Sequence, residues 1–196
     1  MKRFVTWLVL LVWLLPAAGA GEQPARGKLL VATELVGGDF FAQTVILLLH
    51  YDEDGAMGIV VNRPTEIALQ DVVEDVDDLA GYRGPLFWGG PVQMGVLHAL
   101  LRTDEPPEGV DAVIDSVYYV STDEGLKNAP EDEVSLRFFV GYAGWGAGQL
   151  DRELARGSWH VVPASDEAVF AEDPDALWKR LSPPAEQTAI LSRAAR

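Results

Sequence analysis

Two β-prone runs joined by a tight turn constrain the fold of this chain more than any other feature. Residues 44–51 (TVILLLHY) and 56–62 (AMGIVVN) flank DEDG at 52–55, whose Asp-Gly step is a strong β-hairpin signal. The first run is apolar almost throughout, so we predict a strand that is buried on both faces. Pro64 then ends the second strand.

The rest of the chain predicts more strands than helices, without regular alternation between them. This pattern indicates an α+β fold with a mainly antiparallel sheet. No repeat or linker interrupts residues 28–182, which we take as one domain. Further strands are expected at 28–33, within 84–102 on both sides of a Gly-Gly-Pro turn, and at 117–122, 134–144 and 158–164. Helices are expected at 67–80, 123–130, 149–157 and 173–182.

The N-terminus has the pattern of a secretory signal peptide. Residues 1–20 combine a short basic start, an apolar run and the small-residue cleavage site Ala18-Gly19-Ala20. The run is shorter than the ~20 residues of a membrane-spanning helix. We therefore predict an exported protein, periplasmic or secreted, with no transmembrane helix after cleavage; an uncleaved anchor is the alternative. Residues 21–27 are predicted to be a flexible leader and 183–196 a tail.

Charge and composition exclude several classes of function. The chain has 15 basic and 30 acidic residues, and loss of Lys2 and Arg3 with the signal peptide leaves 13 against 30, a net charge of −17. Such acidity argues against direct binding to nucleic acid. The absence of cysteine excludes disulfides and thiolate chemistry. We assign no catalytic residue, metal or cofactor. We interpret His50, His98 and His160 as histidines that are hydrogen-bonded within the sheet, and His50 is the one most open to a different role.

The glycine-rich segment 141–154 (GYAGWGAGQLDREL) has two interpretations. In the first, Gly146, Ala147, Gly148 and Gln149 offer backbone N–H groups to an anion at a helix start. In the second, the glycines let a strand and a helix pack closely while Trp145 fills the core. The second is favoured, because the lysine and hydroxyl of a phosphate-binding loop are missing.

Two other segments could place polar groups beside a ligand. Arg63 follows an apolar strand and precedes a proline, so it is a candidate clamp for a carboxylate or phosphate, or else a structural partner for an acid. Asn62 could bond to the backbone of a turn. Gly89 and Gly90 form a turn that could approach a ligand, although most such turns only connect strands.

Three long motifs resemble the signatures of the bacterial YqgE/AlgH family. They are HYDEDGAMGIVVNRP (50–64), FWGGPVQMGVLH (87–98) and VGYAGWGAGQLDREL (140–154), and GDFFAQTVILL (38–48) adds to the likeness. The resemblance implies an α+β pseudo-barrel of bent, mainly antiparallel strands with flanking helices. The resemblance supplies neither agreed catalytic residues nor an established activity. One family member carries a regulatory label, which is linked to alginate production. Family members usually lack a signal peptide, so this chain departs from the pattern.

The sequence therefore predicts an exported, non-enzymatic protein that binds a small anionic ligand or a protein partner in a cleft. The alternatives are an enzyme for a phosphorylated or acidic substrate, with Arg63 as the clamp, and a regulator that acts through protein contacts. The cleft would be formed by three segments. Its predicted lining residues are Asn62, Arg63, Gly89, Gly90, Trp145, Gly146, Gly148 and Gln149.

Overall fold

The computed structural model describes residues 22–38, 40–72, 82, 84–105, 110–121 and 135–183. Nine strands and three α-helices are present in these ranges. The strands are β1 (Lys28–Ala32), β2 (Val45–Asp52), β3 (Gly55–Val60), β4 (Leu86–Trp88), β5 (Val92–Arg102), β6 (Ala112–Ile114), β7 (Val117–Ser121), β8 (Ser135–Gly146) and β9 (Trp159–Pro163). The helices are α1 (Gln149–Ala155), α2 (Asp166–Val169) and α3 (Pro174–Leu181), with a 3-10 turn at Leu69–Asp71.

All nine strands form one curled sheet that makes a half-barrel, which confirms the predicted α+β pseudo-barrel. The strand order is β6-β7-β5-β8-β3-β2-β1-β9, and every pair along it is antiparallel. The exception is β4, which lies beside β8 in parallel orientation. β8 is the longest strand and connects the two halves of the sheet.

The predicted hairpin is confirmed as β2 and β3. The Asp52 carboxylate accepts hydrogen bonds from the N–H groups of Asp54 (2.9 Å) and Gly55 (3.2 Å), which closes the turn. Successive β2 residues enter different core clusters: Val45, Leu47 and Leu49 pack toward α2 and α3, whereas the alternate side chains pack toward α1. Burial on both faces explains why β2 is apolar almost throughout.

Several elements differ from the sequence prediction or lie outside the described residues. β6 and α2 were not predicted, because each is too short to give a periodic signal. Arg26 and Gly27, the end of the predicted leader, are held by hydrogen bonds to the sheet. The predicted signal peptide, the predicted 123–130 helix, most of the predicted 67–80 helix and all of the predicted tail after Pro183 lie outside the described residues.

No helix in the described ranges is both long enough and apolar enough to span a membrane.

Candidate functional site

The structure brings the first two predicted segments together. The Trp88 N–H donates to the Arg63 carbonyl (2.8 Å), and the Val60 N–H donates to the Gly89 carbonyl (2.9 Å). The end of β3 and the stretch after it thus lie directly against β4 and Gly89, as the sequence predicted for these two segments.

Asn62 and Arg63 hold the loop before β2. Asn62 is 4% exposed. Its side chain accepts from Val45 N–H (2.7 Å) and donates to the Gln43 carbonyl (3.0 Å). The Arg63 guanidinium donates to the carbonyl of Ala42. Among the described residues Arg63 forms no ion pair, so the alternative of an acid partner is not seen there. Both side chains have a structural role here.

Gly89 and Gly90 are buried where the chain crosses β8 on its way from β4 to β5. A Cβ at Gly89 would lie 2.2 Å from the Gly141 carbonyl oxygen, and one at Gly90 would lie 2.1 Å from Tyr142 C. Gly90 also has φ +152. The glycines are therefore needed for contact between backbones, and they leave no opening for a ligand.

The glycine-rich segment packs as the second interpretation predicted. Trp145 is 8% exposed. Its indole N–H donates to Glu153 (2.9 Å), and the Trp159 indole donates to the same oxygen (2.8 Å). The Gln149 side chain accepts from the Gly146 N–H (3.2 Å), so that donor is already used. Gly148 (φ +62) turns the chain into α1.

The helix end of the third segment lies away from the first two, although its start at Gly141 and Tyr142 contacts Gly89 and Gly90, so the predicted site residues do not line one shared cleft. Gly146 pairs with Gly55 at the start of β3, whereas Gly89 bonds to Val60 at its end. At ~3.3 Å per residue, the length of β3 separates them by about 17 Å. The sheet register therefore separates Gly146 from Gly89.

A groove that the sequence did not predict lies at the turn end of the hairpin. It has a volume of about 490 Å³. We call it the hairpin groove; its lining residues are His50, Asp52, Asp54, Gly55, Ala56, Met57, Val92, Tyr142, Gly144 and Trp145. Of the predicted site residues, Trp145 lines it. The register aligns His50 with Met57 and Met57 with Gly144, so residues from three strands share one face.

The polar groups of the groove are acidic or aromatic. His50 Nε2 lies 2.8 Å from Asp52 Oδ2, and both side chains are exposed. The pKa of Asp52 is lowered, first by the hydrogen bond from Asp54 N–H and further by His50. No Lys or Arg lines the groove among the residues that the structure describes.

A buried histidine supports the inner wall of the groove. The Tyr142 ring packs edge-on against His98, whose Nδ1 lies 2.8 Å from the Tyr119 hydroxyl. His98 is 5% exposed, and its Nε2 has no hydrogen-bond partner among the described residues. Burial lowers the pKa of His98, so the neutral imidazole is favoured.

The β5 strand leaves β8 beside the groove. Val92 pairs with Tyr142, but the next pairing is Leu97 with Val140, so residues 93–96 bulge outward. Two apolar side chains of this bulge are exposed, Met94 (51%) and Val96 (41%). The histidines do not converge: among the described residues, no three His, Asp or Glu side chains are close enough to hold a metal ion.

The fold and the motifs agree with one family. A family model described as AlgH-like matches residues 29–185. The chain belongs to the AlgH-like family. A UPF0301 protein of Streptomyces avermitilis is 38% identical over 161 residues, covering 79% of this chain and 83% of that relative. A UPF0301 protein of Chlorobium limicola is 33% identical over 158 residues, with the same coverage.

Solved structures of AlgH-like folds have the same architecture. A protein from Corynebacterium diphtheriae superposes with a TM-score of 0.69 at 27% identity, covering 86% of this chain and 92% of that one. The AlgH protein from Pseudomonas aeruginosa has a TM-score of 0.59 at 24% identity, covering 88% and 92%. The family predicted from the motifs is therefore confirmed, and its function is uncharacterised.

Proposed function

We propose that this AlgH-like chain is a binding protein that holds a ligand or a segment of a partner in the hairpin groove. The observation that carries the proposal is the groove itself. Its volume of about 490 Å³ lies within the ~300–1,000 Å³ of ordinary ligand sites. Its lining combines the apolar Met57 and Val92 with the polar Tyr142 and His50. This mixture suits recognition of a molecule with both apolar and polar parts.

A catalytic role has less support than a binding role. Both oxygens of Asp52 are used, one by the turn N–H groups and one by His50. Arg63, the predicted clamp for an acidic substrate, donates to a backbone carbonyl. The acidic groove would also repel a phosphorylated substrate. We therefore favour binding without catalysis, and we propose that any regulatory role acts through protein contacts.

Two exposed glycines of β8 provide a matched test of the groove. In Gly144→Leu, the new Cβ would lie 3.1 Å from the Tyr142 ring and 3.7 Å from Val92, so the side chain fills the groove. In Gly146→Ala, no atom lies within 4 Å of the added Cβ. We expect both variants to fold.

The measurement is amide chemical-shift mapping by NMR with a library of small fragments. We expect fragments to shift the amides of Met57, Tyr142 and Gly144 in the unaltered protein and in Gly146→Ala, with the effect lost in Gly144→Leu. Shifts confined to other surfaces, or unchanged by Gly144→Leu, would contradict the proposal.

A further inference from the structure

One edge of β8 is unpaired beside the hairpin groove. On one side, residues 143–146 pair with β3. On the other side, β5 accompanies β8 only as far as Tyr142. No other described strand occupies the edge beyond that point. An unpaired strand edge can accept an extended peptide as a further strand.

One residue of this edge, Gly144, directs its backbone groups outward. A Cβ at Gly55 would lie 2.3 Å from the Trp145 carbonyl oxygen, which places that carbonyl toward β3. The Gly146 N–H instead donates to the Gln149 side chain. Because adjacent residues of an antiparallel strand direct their backbone groups to opposite sides, the N–H and C=O of Gly144 face the open edge.

The groove determines which peptide fits this edge. Gly144 and Gly146 are exposed and have no side chain, so a long side chain from an added strand can lie across β8. It would extend toward the acidic end of the groove, which Asp52 and Asp54 line. The whole chain, at −15, favours the approach of a basic segment.

We infer that the AlgH-like chain binds an extended basic segment of a partner protein, which adds to the β8 edge at residues 143–146 and places a Lys or Arg side chain in the hairpin groove. This inference rests on the binding function proposed above. The backbone edge supplies affinity, and the carboxylates of the groove select the charge.

The test uses a capped seven-residue peptide that alternates valine and lysine, labelled for fluorescence anisotropy. A matched peptide has glutamate in place of lysine. Two further peptides carry N-methyl groups on alternate amides. One peptide is methylated along one edge of the strand, and the other is methylated along the opposite edge. The protein variants are Asp54→Asn and, as an exposed control outside the groove, Glu172→Gln.

We expect the lysine peptide to bind and the glutamate peptide to bind at least tenfold more weakly. N-methylation of one edge should reduce affinity about tenfold, because it removes backbone hydrogen bonds, and methylation of the other edge should change it little. Asp54→Asn should reduce affinity about threefold, and Glu172→Gln should not change it.

Four outcomes would overturn the inference: no binding at millimolar peptide, equal binding of the glutamate peptide, equal effects of both methylated edges, or full displacement by n-butylamine. The last result would indicate a site for a small cation. If fragments still shift the amides of the groove in any of these cases, the proposed binding function holds, but binding does not occur by strand addition. If no fragment maps there, the proposed function fails as well.

Discussion

Glu153 organises the glycine-rich segment through a single carboxylate. One of its oxygens accepts from the indoles of Trp145 and Trp159, and the other accepts from Gln149 (3.0 Å). Sequence reasoning identified the tryptophan as a core residue. The role of Glu153 depends on Trp159, which reaches the same oxygen after the chain has turned back.

Replacing Glu153 should therefore destabilise the fold. In Glu153→Ala, two indole N–H groups lose their acceptor, and we expect the free energy of unfolding to fall by about 1–3 kcal/mol. Glu153→Gln keeps one carbonyl acceptor and should have a smaller effect. Urea denaturation measures both, with the exposed Glu172→Ala as the control. An equal loss in the alanine and glutamine variants would contradict this account.

His98 should make stability depend on pH. Burial lowers its pKa in the folded protein, so the unfolded chain binds the proton more readily. The stabilisation is present above the unfolded pKa of about 6.5 and is lost as the pH falls through that value toward the folded pKa. Burial also lowers the pKa of His160, with the same sign.

We expect the free energy of unfolding to decrease between about pH 7.5 and pH 5, and to decrease less in His98→Gln, which can still bond to the Tyr119 hydroxyl. Denaturation at a series of pH values measures the slope. A slope unchanged in both His98→Gln and His160→Gln would show that neither group is responsible.

At the scale of elements, local patterns predicted the hairpin, β8, α1 and α3, because each depends on signals within its own residues. α3, for example, begins with an Asp173 cap (3.1 Å to Ala176 N–H) and Pro174 in its first turn. The relation of β4 to β5 was not predictable in this way. The Gly-Gly-Pro turn between them suggested a simple turn, yet the two strands lie on opposite edges of β8.

The segment that crosses β8 between β4 and β5 should tolerate no side chain at Gly90. Its φ of +152 and the 2.1 Å that would separate an added Cβ from Tyr142 C mean that Gly90→Ala must displace the backbone. We expect a loss of at least about 3 kcal/mol, or failure to fold. Gly95→Ala is the matched control in the same motif, since no atom lies within 4 Å of its added Cβ. Equal thermal stability of the two variants would refute the crossing argument.

At the scale of the whole molecule, the sheet curls so that three separate motifs define the groove. The hairpin supplies its acidic end, and β8 with Val92 supplies its wall. The first predicted site failed as a unit because proximity to a ligand requires strand register, which glycine-rich spacing does not encode. The groove could have been located from the strand register, which aligns His50 with Met57 and Met57 with Gly144.

Export remains a proposal at this scale, based on the pattern of residues 1–20. We expect cell fractionation followed by mass spectrometry of the native protein to find a chain that begins near Gly21, outside the cytoplasm. Full-length protein in the cytoplasmic fraction would refute cleavage and export. A full-length chain in the membrane fraction would instead indicate the uncleaved anchor.

The sequence by itself determined the fold class, the family, the hairpin and the acidic surface, because these depend on composition, on short-range periodicity and on ordered motifs. Only the tertiary structure decided that Asn62, Arg63 and the crossing glycines are structural and that the groove lies over His50, Met57 and Tyr142. The physical reason is that a binding surface on a curled sheet is set by which strands are neighbours and in what register. Those pairings join residues far apart in the chain, such as Met57 and Gly144.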